Sequence, residues 1–155
     1  MYSDINVTIK LERSDSSEAL RLIQELTAEL VAKYGDEDTG DFDPYKTNIE
    51  RSCFVIAWLN NEAIGCGALR PLDGNTGEVK RMYVVPLMRG KGVSRKILNE
   101  LESAAKKFGY NKLWLETGVL QPEAIGLYEK DGYMRIKNYG IYINNPLSIC
   151  FEKKL

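Results

Sequence analysis

The sequence predicts a single α/β domain, more narrowly α+β, in which a mixed central sheet of about six to seven strands is flanked by helices. Three observations predict it. Apolar and polar residues alternate in "INVTIKLE", the pattern of a half-buried strand. Apolar runs on either side of Asn60-Asn61, within "CFVIAWLNNEAIGCGALRPL", read as a hairpin. A strand at Glu78–Val85, an amphipathic helix and a strand at Lys112–Thr117 form a βαβ unit, which makes part of the sheet parallel. The chain has 155 residues, enough for one core over residues 5–155 and too few for two.

The elements follow in order. The first strand is placed at Ile5–Leu11. Asp15 or Ser16 can cap the next helix, with Glu18 close to a capping box. Leu22, Ile23, Leu26, Leu30 and Val31 give that helix one apolar stripe, and Gly35 stops it. "DEDTGDFDPYKTNIE" is acidic and broken by Gly40 and Pro44, so it reads as an exposed loop with room for a short helix after Pro44. Its acidic part, Asp36 to Asp43, is either solvated surface or a lid that selects a cationic substrate. Gly65 and Gly67, inside the second run of the hairpin, mark a bulge or close packing. "DGNTG" turns the chain into "EVKRMYVV". There Val79, Met82 and Val84 break strict alternation, which points to a bulge near Lys80-Arg81. The long helix is expected from Gly90 to about Phe108, stopped by Gly109. "NKLWLETG" is a strand, and "QPEAIGLYEKDG" a short helix with Pro122 near its start and Gly132 at its end. "YMRIKNYGIY" and "LSICFEKKL" close the chain as strands.

Composition narrows the function. The net charge is −1, which offers no general attraction to nucleic acid or to membrane, so any anion site must be local. Cys53, Cys66 and Cys150 are odd in number, far apart and set in apolar runs. They read as reduced core thiols of a cytoplasmic protein, neither a disulfide frame nor catalytic nucleophiles. The chain has no histidine, which excludes histidine triads and histidine-ligated zinc, and no metal is expected. "MYSDINVTIKLE" has no apolar signal core, and no run approaches transmembrane length.

The most informative stretch is Arg89-Gly90-Lys91-Gly92, placed directly at a helix start. The first turn of a helix leaves backbone N–H groups without partners at the positive end of its dipole, where a phosphate binds well. Gly90 and Gly92 allow close approach, Arg89, Lys91 and Arg95 add charge, and Ser94 offers a hydroxyl. "GKGVS" lacks the spacing of a P-loop. A dinucleotide fingerprint would need glycine or alanine where Arg95 stands.

With that loop in view, the chain resembles the GNAT superfamily of acyl-CoA-dependent N-acetyltransferases over nearly its whole length, most closely from Glu78 to Tyr133. The family's Arg/Gln-x-x-Gly-x-Gly/Ala signature stands here as Arg89-Gly90-Lys91-Gly92-Val93-Ser94, with serine at the last position. "EVKRMYV", "LWLETG" and "QPEAIGLYEKDGY" match further family segments, and the element order agrees. The resemblance implies a parallel strand pair that splays, with acetyl-CoA as co-substrate. The pantetheine arm would pair with backbone around Met82, Tyr83 and Val84, and the pyrophosphate would lie on Arg89, Gly90, Lys91, Gly92, Val93 and Ser94. It implies acetyl transfer to a primary amine of a small molecule or peptide by direct attack in a ternary complex. Glu78 is the first candidate for general base and Glu116 the second. Backbone N–H groups near Val84 would stabilise an oxyanion, and Tyr128 would act as general acid. The alternative is a non-catalytic acyl-CoA-binding regulatory protein on the same fold. Tyr133, Tyr139, Tyr142 and Trp58 are either acceptor-pocket residues or ordinary sheet aromatics. Arg70 or Arg81 would suit an acceptor carboxylate, whereas the acidic loop would suit a cation. A homodimer through the late strands would cover an exposed sheet edge.

Overall fold

The computed structural model describes residues 6–35 and 42–155. The start of the first expected strand and most of the acidic Asp36–Asp43 stretch lie outside the described residues. The chain runs β1 (Thr8–Glu12), α1 (Ser17–Tyr34), β2 (Cys53–Leu59), β3 (Glu62–Pro71), β4 (Thr76–Val84), α2 (Val93–Lys107), β5 (Lys112–Gly118), α3 (Pro122–Lys130), β6 (Met134–Ile136) and β7 (Ser148–Lys154). Short 3-10 turns occupy Pro86–Met88 and Gly140–Tyr142.

The strands form one seven-stranded sheet in the order β1-β2-β3-β4-β5-β7-β6. Every neighbouring pair is antiparallel except β4 and β5, which are parallel. Helices cover both faces, as the sequence predicts. Under α2 the core joins Val55, Leu69, Val79, Ile97, Leu101, Leu113 and Phe151. Under α1 a second core joins Leu22, Leu26, Phe54, Ile56, Cys66 and Tyr83. Burying one such aliphatic side chain contributes about 1.5–3 kcal/mol, so these two layers hold the sheet in place.

Local chemistry explains most element boundaries. Ser16 is the cap of α1: its hydroxyl accepts from the Ala19 N–H at 3.2 Å, while Asp15 pairs with Arg13 instead. Asn60 and Asn61 both take positive φ, 49° and 68°, the geometry of a tight hairpin turn. Helix α2 packs directly on β3 at Gly67, where an added Cβ would stand 2.7 Å from Ile97 Cγ2. The ladder between β3 and β4 shifts register between Cys66 and Ala68, opposite Arg81, which has φ 56°. This is the bulge that the broken alternation predicts.

Three expectations are corrected. The stretch after Pro44 is a turn, closed by the Asp43 side chain accepting from the Tyr45 N–H at 2.9 Å and by Lys46 N–H to Asp43 C=O at 3.0 Å. A carboxylate that captures the next free N–H groups competes with a helix there. Helix α2 starts at Val93, because Gly90 and Gly92 hold left-handed φ values of 78° and 82°. The segment Tyr133–Tyr142 is a strand only over Met134–Ile136. Beyond it the chain leaves the edge and turns Tyr139 and Tyr142 inward, where they bond to β4 side chains.

Candidate active site

The parallel pair is short. β4 and β5 are in register from Thr76 opposite Lys112 to Val79 opposite Leu115, and no further. Past that point the strands diverge. Val85 donates its N–H to Ile64 C=O at 2.9 Å, and Val84 pairs with Gly65 across the ladder. Successive N–H groups of a strand point to opposite sides, so Val84 shows its N–H toward β5, into the gap. Its C=O accepts from Arg89 Nε at 2.8 Å. The gap opens into a cavity of about 1440 Å³.

Helix α2 presents its N-terminus to this cavity. Gly90, Gly92, Val93, Ser94 and Arg95 line it. Space around the Cα atoms of Gly90 and Gly92 is open: an added Cβ would meet nothing within 4 Å. The glycines are therefore required by backbone conformation and not by packing. Successive N–H groups at left-handed residues and in an uncapped first helical turn form a concave donor surface for an anion. Gly92, the cap residue, offers no side-chain bond to that turn. The site thus fits a diphosphate. Arg89 lines the cavity too, but its guanidinium is braced between Val84 C=O and Glu29, the latter at 2.6 Å. Lys91, also placed at the phosphate from the sequence, is exposed and outside the lining.

Of the residues expected along the pantetheine arm, Met82, Tyr83 and Val84 all line the cavity. So do Tyr128 and Glu116. The Tyr128 ring is buried between Tyr133 and Phe151, with centroids at 5.6 and 6.0 Å. Among the described residues nothing hydrogen-bonds its hydroxyl. Burial first, and the nearby charge of Glu116 second, raise its pKa above the ordinary phenol value. Glu116 accepts a hydrogen bond from the Ser148 hydroxyl at 2.7 Å.

Glu78 sits elsewhere. It is 2% exposed and does not line the cavity. Its Oε1 accepts from Arg70 Nε and Nη2, both at 2.9 Å, and its Oε2 from the Tyr139 hydroxyl at 2.6 Å. The structure therefore groups Glu116, not Glu78, with Tyr128. Tyr142 lines the cavity and accepts from Lys80 Nζ at 2.7 Å, whereas Trp58, Tyr133 and Tyr139 are outside the lining.

Some lining residues carry no local sequence signal. Tyr34, at the end of α1, accepts from the Leu120 N–H at 3.1 Å and donates to Gln121 at 3.2 Å. It thereby fixes the turn between β5 and α3. Gly118 makes room for it, since a side chain there would collide with the Tyr34 phenol. Only that glycine, in "LETG", could have hinted at the contact. The stretch Asn144–Ser148 also lines the cavity, joined to the same turn by the Val119 N–H donating to Leu147 C=O at 2.9 Å.

The three cysteines are free thiols. Burial raises Cys66 to about 12, and Cys53 and Cys150 each to about 11. None is a thiolate near neutral pH. Among the described residues there is no cluster able to hold a metal ion and no helix long and apolar enough to cross a membrane.

Comparison with known proteins bears on the family and the fold. The model of the acetyltransferase (GNAT) family matches residues 19–133. The IAA acetyltransferase of Azospirillum brasilense is 36% identical over 151 residues, which is 97% of this chain and 99% of that protein. A Klebsiella pneumoniae structure named as an acyl-CoA N-acyltransferase superposes with TM-score 0.80 at 30% identity, covering 96% of this chain and 97% of the other. A GNAT family acetyltransferase from Elizabethkingia anophelis, solved with acetyl-CoA bound, shares the fold with TM-score 0.70 at 23% identity, covering 97% and 99%. The protein belongs to the acetyltransferase (GNAT) family and is an acyltransferase by that membership.

Proposed function

We propose that this protein transfers an acetyl group from acetyl-CoA to a primary amine of a small molecule or peptide, by direct attack of the amine in a ternary complex. One observation carries the reading: a single cavity holds the donor-lined mouth of α2, the unpaired edge of β4, Tyr128 and Glu116 together. Gly90, Gly92, Val93 and Ser94 would hold the diphosphate through backbone N–H groups, and Met82 and Val84 would pair with the amide-rich arm. The bound thioester supplies an activated acetyl group and a thiolate able to depart. The Val84 N–H, directed into the gap, is available to a developing oxyanion.

An ammonium cannot attack, so the acceptor must lose a proton. Glu116, oriented by Ser148, takes it directly or through water. Tyr128, kept protonated by burial, donates a proton to the departing sulfur. No enzyme nucleophile is needed, which accords with the raised thiols.

Screening acetyl-CoA-dependent thiol release over amino acids, polyamines, aminoglycosides and peptide N-termini, with mass detection of the product amide, tests the proposal. Release matched by amide formation is the expected result. Tight CoA binding with no amine-stimulated release would favour the regulatory reading instead.

Two further outcomes follow from the site. Gly92→Val places a β-branched side chain at φ 82°, costing about 1–2 kcal/mol of backbone strain. It should also raise the Kd for CoA by at least about tenfold in titration calorimetry, because its methyl groups cover the donor surface. The pH profile of kcat should climb as the acceptor amine deprotonates. It should then stay level beyond about pH 10, the ordinary phenol value, since the Tyr128 pKa is raised and its proton is retained longer. A falling limb below that pH would contradict the assignment of Tyr128.

A further inference from the structure

The gap between β4 and β5 has no ladder of its own to fix its width, because the two strands stop pairing after Val79 opposite Leu115. Helix α1 is bonded to both sides of it. On the β4 side the Tyr83 hydroxyl donates to Glu25 at 3.2 Å, and Arg89, which also holds Val84 C=O, reaches Glu29 at 2.6 Å. On the β5 side Tyr34, the last residue of α1, accepts from the Leu120 N–H and donates to Gln121, in the turn after β5. Leu26, Glu29, Leu30 and Tyr34 of this helix line the cavity between those ties.

The seat of Tyr34 is shaped for a phenol. Gly118 has no positive φ, so its backbone conformation would accept a side chain; glycine stands there because a Cβ would collide with the Tyr34 hydroxyl. The Gly118 N–H donates to Gln121 Oε1 at 3.2 Å, the same oxygen that accepts from Tyr34. Gln121 is also the cap residue of α3, its C=O accepting from the Ile125 N–H at 3.1 Å. One phenol therefore fixes the end of β5 and the start of the helix that carries Tyr128. Burial raises its pKa, with the Leu120 N–H opposing the rise and the charge of Glu116 adding to it, so it stays a donor near neutral pH.

We propose that α1 is a strut that sets the width of this gap, and that Tyr34 is the positioning residue for its β5 side, holding that wall at the distance the amide-rich arm of coenzyme A requires. This rests on the coenzyme reading above. A preformed wall removes the ordering that the arm would otherwise have to impose on binding. Without the hydroxyl bonds the wall takes a range of positions. The fraction at the right width falls, and the apparent Kd rises in proportion. The diphosphate, held by backbone N–H groups at the mouth of α2, does not depend on this wall.

The test is titration calorimetry of the parent protein, Tyr34→Phe and Tyr34→Leu with two ligands: coenzyme A, and the coenzyme without its arm, adenosine 3′-phosphate 5′-diphosphate. Tyr34→Phe keeps the ring and loses both hydrogen bonds, and Tyr34→Leu also vacates the space over Gly118. The Kd for coenzyme A should rise by about five- to tenfold in Tyr34→Phe and further in Tyr34→Leu, while the Kd for the armless nucleotide stays within about twofold. A fold that had merely loosened would weaken both ligands alike. That result overturns the positioning role, as does a Kd for coenzyme A unchanged in both variants. Should Tyr34→Leu not fold, Tyr34→Phe decides alone. Amide formation from acetyl-CoA is scored on the same preparations. Amide product without the split in binding overturns the strut and leaves amine transfer standing. The split without amide product supports the strut and removes amine transfer. A parent protein that does not bind coenzyme A removes both.

Discussion

Tyr128→Phe is expected to lower kcat for acetyl transfer by about 10²–10⁴-fold, the usual contribution of a positioned general acid. KM for acetyl-CoA should move little. The substitution removes one oxygen and leaves the ring, so the contacts to Tyr133 and Phe151 survive. No hydrogen bond is lost among the described residues. Thermal stability should therefore stay within about 0.5 kcal/mol of the parent, which separates a chemical role from a packing role. A variant with unchanged kcat would mean that the departing thiolate needs no proton from this residue. A variant with a lowered Tm would mean that the hydroxyl serves the fold. Kinetics and a thermal melt on the same preparation distinguish the outcomes.

The second large effect is structural and bears on the general base. Glu78 is 2% exposed, with Arg70 on one oxygen and Tyr139 on the other. Removing one partner of a buried pair leaves a charge uncompensated and costs about 3–5 kcal/mol. Arg70→Met should accordingly destabilise the protein by that amount, lowering Tm by about 10 °C for a chain of this size. Glu78→Gln keeps one carbonyl oxygen for Arg70 and turns its NH2 toward Tyr139, whose hydroxyl oxygen can accept, so it should cost less. It should also leave kcat within a few-fold of the parent, whereas Glu116→Gln should lose about 10²-fold or more. The reverse pattern, with Glu78→Gln inactive yet fully stable and Glu116→Gln active, would return the base to Glu78. Denaturant melts on Arg70→Met read the stability arm, and initial rates on the two glutamine variants read the chemical one.

The parts legible in the sequence are those that short stretches determine. Gly90 and Gly92 before an amphipathic run mark the approach of a helix, although the sequence places its start at Gly90 and the left-handed glycines delay it to Val93. Asn60-Asn61 specifies a hairpin by the same logic. Even the β4 bulge shows, because an extra residue must disturb an alternating pattern of Val79, Met82 and Val84. What is not legible depends on contacts between residues far apart in the chain. Glu78 reads as a strand carboxylate at a promising position; its meeting with Tyr139, 61 residues later, needs the chain to leave β6 after three residues and fold back. "YMRIKNYGIY" has the composition of a longer strand, and tertiary burial of Tyr139 and Tyr142 overrides that propensity. Tyr34 is likewise silent until α1 is laid across the turn after β5. The candidate site was thus half readable: the lining from Val79 to Arg95 lies on one nearly continuous stretch, while the rest is assembled from α1, the end of β5, α3 and the loop before β7.

The account rests on the mouth of α2 and the splayed strands receiving coenzyme A. A crystal structure of the protein with acetyl-CoA measures this directly. It should show the diphosphate on the N–H groups of Gly90 and Gly92 to Ser94, the pantetheine amides against Met82 and Val84, and the thioester beside the Tyr128 hydroxyl. A ligand bound elsewhere, or a diphosphate held only by surface side chains with the gap between β4 and β5 empty, would contradict it.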